Sequence, residues 1–259
     1  IFLIILTVIC IMSVSAISAA DTNNASDVVA DAGTFADLAK DISAGGNISL
    51  SRDYIQTDSH GQIAITKNTI INGNGHTIDA QAKSRIFNIA NGVTVSLKNI
   101  TFINGSTTTH GGAIYNQGDL TVDNCQFKNT TAQYGGAIYS LYSNVNVVDS
   151  IFKDITAGNV GGVICSFDGS VNVVGSTFTD TTATNMGGVI YSWSIDGSIS
   201  VINSTFINAT SKSGGAISIG SGSSLAVIGC TLINNTANNG GAIYSNCNLH
   251  VIDSNFTNT

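Results

Sequence analysis

Few side chains in this chain of 259 residues have the type and spacing to do chemistry. Asp154 and Asp180 fall at the same point of two successive repeats, so stacked repeats would bring two carboxylates together. A glycoside hydrolase needs such a pair at roughly 5–9 Å, and like charges that close would raise one carboxyl pKa or recruit a cation such as calcium. Against this stands a simpler assignment of both as solvated turn residues, in a column otherwise occupied by asparagine. A polysaccharide lyase would need a base to take a proton, and Arg52 and Arg85, the only arginines, both precede the regular repeats. His60, His76, His110 and His250 are scattered without metal-ligand spacing. No phosphate loop or nucleophile elbow is present. No catalytic residue, metal site or cofactor is therefore expected, Asp154 and Asp180 being the one candidate pair.

The other candidate is a binding face. Tyr115, Tyr139, Cys165, Tyr191, Ser218 and Tyr244 each directly follow the same repeated isoleucine, with Trp193 close by. Strand alternation turns the neighbour of a buried isoleucine outward, so Tyr115, Tyr139, Tyr191, Trp193 and Tyr244 form a candidate binding stripe. Aromatic faces suit sugar rings and protein surfaces. Stacked tyrosines also stabilise neighbouring strands with no ligand at all, and Cys165 and Ser218 interrupt the stripe.

The elements that must carry these residues are written in a repeat of about 26 residues. A double glycine recurs at Gly111-Gly112, Gly135-Gly136, Gly161-Gly162, Gly187-Gly188, Gly214-Gly215 and Gly240-Gly241, and two residues later stand Ile114, Ile138, Ile164, Ile190, Ile217 and Ile243. Phe102, Phe127, Phe152, Phe178, Phe206 and Phe256, with Leu232 standing in once, mark a second column. Five and seven residues before each anchor is an aliphatic residue, as at Val145 and Val147 before Phe152. The residues between are mostly polar, which is the period of a strand and not of a helix. Each unit thus holds three short strands separated by Gly, Asn, Asp and Ser turns. One unit cannot bury its own apolar side, but stacked units merge their columns into one core, each buried side chain contributing about 1.5–3 kcal/mol. The expected fold is all-β, a right-handed parallel β-helix of the pectate-lyase-like solenoid type.

Two residues after the anchors stand Asn104, Asn129, Asp154, Asp180, Asn208, Asn234 and Asn258. A stacked ladder of this kind hydrogen-bonds local backbone and the rung above. Sequons begin at Asn104, Asn129, Asn208 and Asn234 within it, where stacked amides are expected to be poorly exposed. Asn203 and Asn255 lie outside the ladder and are the glycosylation candidates. Cys125 and Cys230 share one repeat position four coils apart, about 19 Å at 4.8 Å per coil, well beyond the roughly 7 Å reach of a disulfide. The cysteines after Cys10 are expected as buried thiols acting as small hydrophobes.

Composition agrees with a neutral, hydroxyl-rich surface: proline is absent, Gly numbers 28 and charged residues make up 10%. Glutamate is absent too, so the usual dressing of exposed helices is missing. A net charge of −7 disfavours nucleic acid and anionic membrane faces as partners. Ile1 to Ile17 is almost unbroken apolar sequence before Ser18-Ala19-Ala20, the pattern of a signal peptide over 1–20, and it is shorter than the roughly 20 residues of a bilayer span. The chain opens without methionine and stops inside a repeat, so truncation at both ends is expected.

Thr34 to Ile42 carries an amphipathic helix with Thr34 and Asp37 in capping-box positions, suited to closing the open end of a solenoid. The expected organisation is a linker at 21–33, this capping helix at 34–46, irregular coils at 47–104 and regular repeats at 105–259. The opening helix, the segment Thr66 to Asp79 with its Asn72-Gly73-Asn74-Gly75, and the recurring Gly-Gly-Ala-Ile and Phe-x-Asn motifs resemble the adhesin-like surface proteins of methanogenic archaea. The repeats are also similar to those of chlamydial polymorphic outer-membrane proteins. The resemblance implies a secreted or cell-surface β-helix with a noncatalytic, adhesive role. Surface glycans or proteins of a host or neighbouring cell would be its partners, and membrane contact would come only through an anchor elsewhere. The alternative is a polysaccharide-active enzyme, a hydrolase or lyase, on the same scaffold.

Overall fold

The computed structural model describes residues 31–259 apart from Asp196, Ser221 and Ser223. The expected signal peptide at 1–20, and the linker up to residue 30, lie outside the described residues. From residue 31 onward the molecule is the expected all-β parallel β-helix, opened by one short helix. Its strands form three parallel sheets of 11, 9 and 8 strands among the described residues. They are named here by their inward columns as the phenylalanine, valine and isoleucine sheets.

Each coil runs isoleucine sheet, valine sheet, phenylalanine sheet, as in Ile114–Asn116, Asp119–Asp123 and Gln126–Lys128. Every strand pairs in parallel with its counterpart one coil on, so the columns read from sequence fall in register: Ile138 opposite Ile164, Val147 opposite Val173, Phe127 opposite Phe152. Strand spacing then dictates the interior. Rings on adjacent strands must lie about 4.8 Å apart, and Phe102, Phe127, Phe152, Phe178 and Phe206 stack at 4.7–5.0 Å with interplanar angles of 9–24°. All five are at most 1% exposed.

Corners are set by backbone that ordinary residues avoid. The ladder residues Asn104, Asn129, Asp154, Asp180, Asn208, Asn234 and Asn258 all have left-handed φ of 51–56°, the conformation Asn and Asp tolerate best after glycine. A second left-handed column, absent from the sequence-based expectation, turns the valine sheet into the phenylalanine sheet at Asn99, Asn124, Asp149, Gly175, Asn203, Gly229 and Asp253. At the third corner each glycine of the pair has its own reason. The first is left-handed, φ 59–66°. A Cβ on the second would run into the carbonyl oxygen of the second glycine one coil on, as for Gly162 against Gly188.

Helix α1, Phe35–Ile42, is shorter than the 34–46 expected. The Thr34 hydroxyl accepts from the Asp37 amide and the Asp37 carboxylate accepts from the Thr34 amide, a complete capping box. Gly45 and Gly46 then take left-handed φ of 71° and 79°, which ends the helix and starts a valine-sheet strand at Gly46–Ser49. Phe35, Leu38 and Ile42 seal the first coil against Leu50, Tyr54 and Ile63. In the last coil the inward columns stay open, with Leu249 42%, Val251 43% and Phe256 38% exposed.

Candidate functional site

The outer side of the isoleucine sheet carries the predicted stripe in strict register: Tyr115 pairs with Tyr139, Tyr139 with Cys165, Cys165 with Tyr191, Tyr191 with Ser218 and Ser218 with Tyr244. Two further columns flank it. On one side, just before each double glycine, stand His110, Tyr134, Val160, Met186, Ser213 and Asn239, joined by parallel bridges. On the other, at the strand ends, Leu141 pairs with Phe167 and Phe167 with Trp193. Together they build a second apolar cluster outside the solenoid, with Tyr139, Val160 and Cys165 buried and Tyr115, Tyr134, Leu141, Phe167 and Tyr191 packed around them.

The early coils of this cluster are filled. Tyr115 and Tyr139 stack at 5.5 Å and 7°, and His110 lies 4.4 Å from Tyr139 and 5.1 Å from Tyr134. Arg85 closes the end with its guanidinium 5.3 Å from the Tyr115 ring and its Nε donating to the carbonyls of His110 and Gly111 at 2.8 Å. Burial lowers the Arg85 pKa from its usual value. Burial, reinforced by the Arg85 charge, also pushes His110 below the ordinary histidine range. Tyr139 points off the sheet as expected, but it is only 7% exposed and burial drives its phenol upward. It is a packing residue and not an accessible one. His110, given no role from sequence, belongs to the same packing.

The middle coils are not filled. Cys165 and Ser218, on either side of Tyr191 in its column, are too small to stack on its ring. Beside Tyr191, with neither Cys165 nor Ser218 in its lining, a cleft of about 550 Å³ opens, lined by Tyr134, Val160, Phe167, Met186 and Tyr191, with Asn159, Asn185, Lys212, Ser213, Asn238 and Asn239 as its polar wall. The polar wall is pre-set: Asn185 Nδ2 donates to Asn159 Oδ1 at 2.7 Å, and Lys212 Nζ donates to Asn185 Oδ1 at 3.2 Å. No carboxylate lines it, although the chain carries net negative charge. Trp193, 48% exposed, meets the edge of Phe167 at 5.7 Å beside the cleft.

Of the expected binding residues the cleft therefore gathers Tyr191, with Trp193 at its border. Tyr115 and Tyr139 form the packed coils before it, and Tyr244 is half-buried outside its lining. Sequence reasoning missed Phe167, Met186 and the amide wall. Their signal was in the repeat: Asn159-Val160, Asn185-Met186, Lys212-Ser213 and Asn238-Asn239 each immediately precede a double glycine.

Asp154 and Asp180 occupy opposing ladder rungs of adjacent coils, at the border of the phenylalanine sheet and away from the cleft. Both are exposed, and Asp180 Oδ1 accepts from Asn208 Nδ2 at 2.8 Å. Among the described residues no group of three or more His, Cys, Asp or Glu is placed to hold a metal ion. Cys125, Cys165 and Cys230 are free and buried, and Cys247 is free and half-buried. Burial pushes the Cys125 thiol up to about 11. The ladder sequons differ from expectation: Asn129, Asn208 and Asn234 are exposed, and only Asn104 is partly covered. Asn203 and Asn255 are exposed as well.

Residues 229–246 match the Chlamydia polymorphic membrane protein repeat. The matched stretch spans the double glycine and isoleucine of one coil, Gly240-Gly241-Ala242-Ile243. No curated protein and no solved structure matches the chain. Among the described residues no helix is long and apolar enough to cross a membrane.

Proposed function

We propose that the protein is a noncatalytic, cell-surface adhesin-like molecule that holds an extended glycan of a host or neighbouring cell in the cleft on its isoleucine sheet. The observation that carries this is the pairing of aromatic floor and amide wall at Tyr191, Phe167, Asn159, Asn185 and Asn238. Ring faces take the apolar C–H side of a sugar, while carboxamides donate to and accept from hydroxyls. Neighbouring coils repeat the wall about every 4.8 Å, comparable to the advance per sugar along an extended polysaccharide, so successive rungs can meet successive sugars in one way. The signal-peptide pattern at 1–20 and the match of residues 229–246 to a polymorphic membrane protein repeat support the location. Neither Asp154 nor Asp180 lines the cleft, which supports binding over cleavage.

The test is a glycan array followed by titration calorimetry with the best hit, on the parent and on Tyr191→Ser and Asn185→Ala. Each variant is expected to bind at least about tenfold more weakly, a loss of about 1.4 kcal/mol, with melting temperature little changed. Unaltered affinity in Tyr191→Ser removes the cleft from the account. Shortening of the bound glycan on prolonged incubation turns the assignment to a polysaccharide-active enzyme, and binding to a cell-surface protein with no glycan hit turns it to a protein partner.

A further inference from the structure

Two sets of asparagines in this molecule differ in sequence context and in side. Those on the cleft wall, Asn159, Asn185, Asn238 and Asn239, have glycine two residues on, and none begins a sequon. Those followed by Ser or Thr two residues on, at 99, 104, 129, 203, 208, 234 and 255, all lie at the two corners or within the strands of the phenylalanine sheet. Asn47, on the first valine-sheet strand, is the exception among the described residues.

The geometry points to N-linked glycosylation of the phenylalanine-sheet side at Asn99, Asn129, Asn203 and Asn255, with the cleft side left bare. It rests on export of the chain and is independent of what the cleft binds. All four side chains are exposed. Asn99, Asn129 and Asn203 sit at corners with left-handed φ of 50°, 54° and 49°, and among the described residues their side-chain nitrogens donate no hydrogen bond. Asn203 rests its Oδ1 over Gly229 of the next coil, where any larger residue would collide with it.

The remaining sequons of the phenylalanine-sheet side are held. Asn104 Nδ2 donates to Asp79 Oδ1 at 2.9 Å and is partly covered. Asn208 Nδ2 donates to Asp180 Oδ1 at 2.8 Å, and Asn234 Nδ2 to Asn208 Oδ1 at 3.4 Å. In the transfer step the carboxamide nitrogen attacks the anomeric carbon of a polyprenyl-diphosphate-linked oligosaccharide. A C–N bond forms as the sugar C–O bond breaks, the lipid diphosphate leaves with the electron pair, and one amide proton passes to a base of the transferase. A nitrogen already aimed at the neighbouring rung must first break that bond and rotate, and a sugar on it would crowd the next coil. Hydrogen bonding of the carboxamide nitrogen to the neighbouring rung therefore sorts the sequons into open and closed.

The experiment is site-resolved occupancy by glycopeptide mass spectrometry on the full chain, secreted from a host that glycosylates a control sequon fused in the same reading frame. Expected are high occupancy at Asn99, Asn129, Asn203 and Asn255 and low occupancy at Asn104, Asn208 and Asn234. Asp180→Ala should raise Asn208 to the level of Asn203. Equal occupancy at open and hydrogen-bonded sequons overturns the sorting, as does an unmodified set of open sites beside a modified control. An Asn208 unmoved by Asp180→Ala, in a variant with the parent's melting temperature, overturns it equally.

Discussion

The interior and exterior aromatic columns obey one register and come out differently. Inside, five phenylalanines stack without a break from Phe102 to Phe206. Outside, the tyrosine column starts the same way at Tyr115 and Tyr139 and then loses its rings at Cys165 and Ser218. The difference is one of cost. An inward ring replaced by a small residue leaves a cavity that no water can fill favourably, while at Cys165 and Ser218 on the outer side the flanking columns close over the small residue, leaving it 0% and 1% exposed. The inner column keeps a large apolar side chain in the regular coils, Leu232 included, while the outer column tolerates Cys165 and Ser218 under cover of the flanking columns, so recognition features collect on the outer face.

The largest test of that contrast is Phe152→Ala, which removes the middle ring of the stack and is expected to cost about 3–5 kcal/mol in thermal or denaturant unfolding. Gly188→Ala should follow at about 1–3 kcal/mol, because its new Cβ meets the Gly215 carbonyl oxygen of the next coil and the coils must part to admit it. Tyr191→Ser, outside, is expected to cost less than either in stability while abolishing binding in the cleft. The reverse replacement sharpens the point. Ser218→Tyr adds a ring at a position only 1% exposed, so overpacking is expected to cost about 1–3 kcal/mol and to weaken glycan binding by shifting Tyr191 on the neighbouring strand. A stable Ser218→Tyr that binds as well as the parent would break the link between the interrupted stripe and the cleft.

How much of this was legible in the sequence follows the same division. Inward columns such as Ile114 to Ile243 and Phe102 to Phe206 could be read because burial imposes one residue type per coil. The ladder at Asn104 to Asn258 could be read because a left-handed corner restricts the choice almost as tightly. The second left-handed column was overlooked because glycine at 175 and 229 and aspartate at 149 and 253 blur its amide signature. The cleft was half seen. Tyr191 and Trp193 were found from strand alternation, but alternation says nothing of the segment before the double glycine folding back over the sheet. That segment is what buries Tyr139 and brings Met186 and Asn185 against Phe167. The ends of α1 depended on Gly45 and Gly46 taking positive φ, which composition alone leaves open.

The smallest expected effect concerns pH and the filled end of the exterior cluster. Arg85 is the charged group facing His110, whose other neighbours are Tyr115, Tyr134 and Tyr139. Burial and the Arg85 charge hold the folded His110 pKa below its unfolded value of about 6.5. Between the two values the unfolded chain binds more protons, so unfolding is favoured as pH falls. The stabilising contribution of the neutral ring is thus complete above about pH 6.5 and is lost as pH drops toward the folded pKa. Melting curves between about pH 5 and pH 8 should show the parent declining at the acid end more steeply than His110→Phe, which keeps the ring packing and cannot take up a proton. Because the site is only partly buried, the gap between the two curves should be modest and should leave the phenylalanine stack untouched, with both proteins sharing one unfolding transition. A parent and variant with parallel curves would mean that the His110 ring escapes the cluster on protonation, and that the exterior aromatic packing is looser than the interior by more than the interrupted column alone implies.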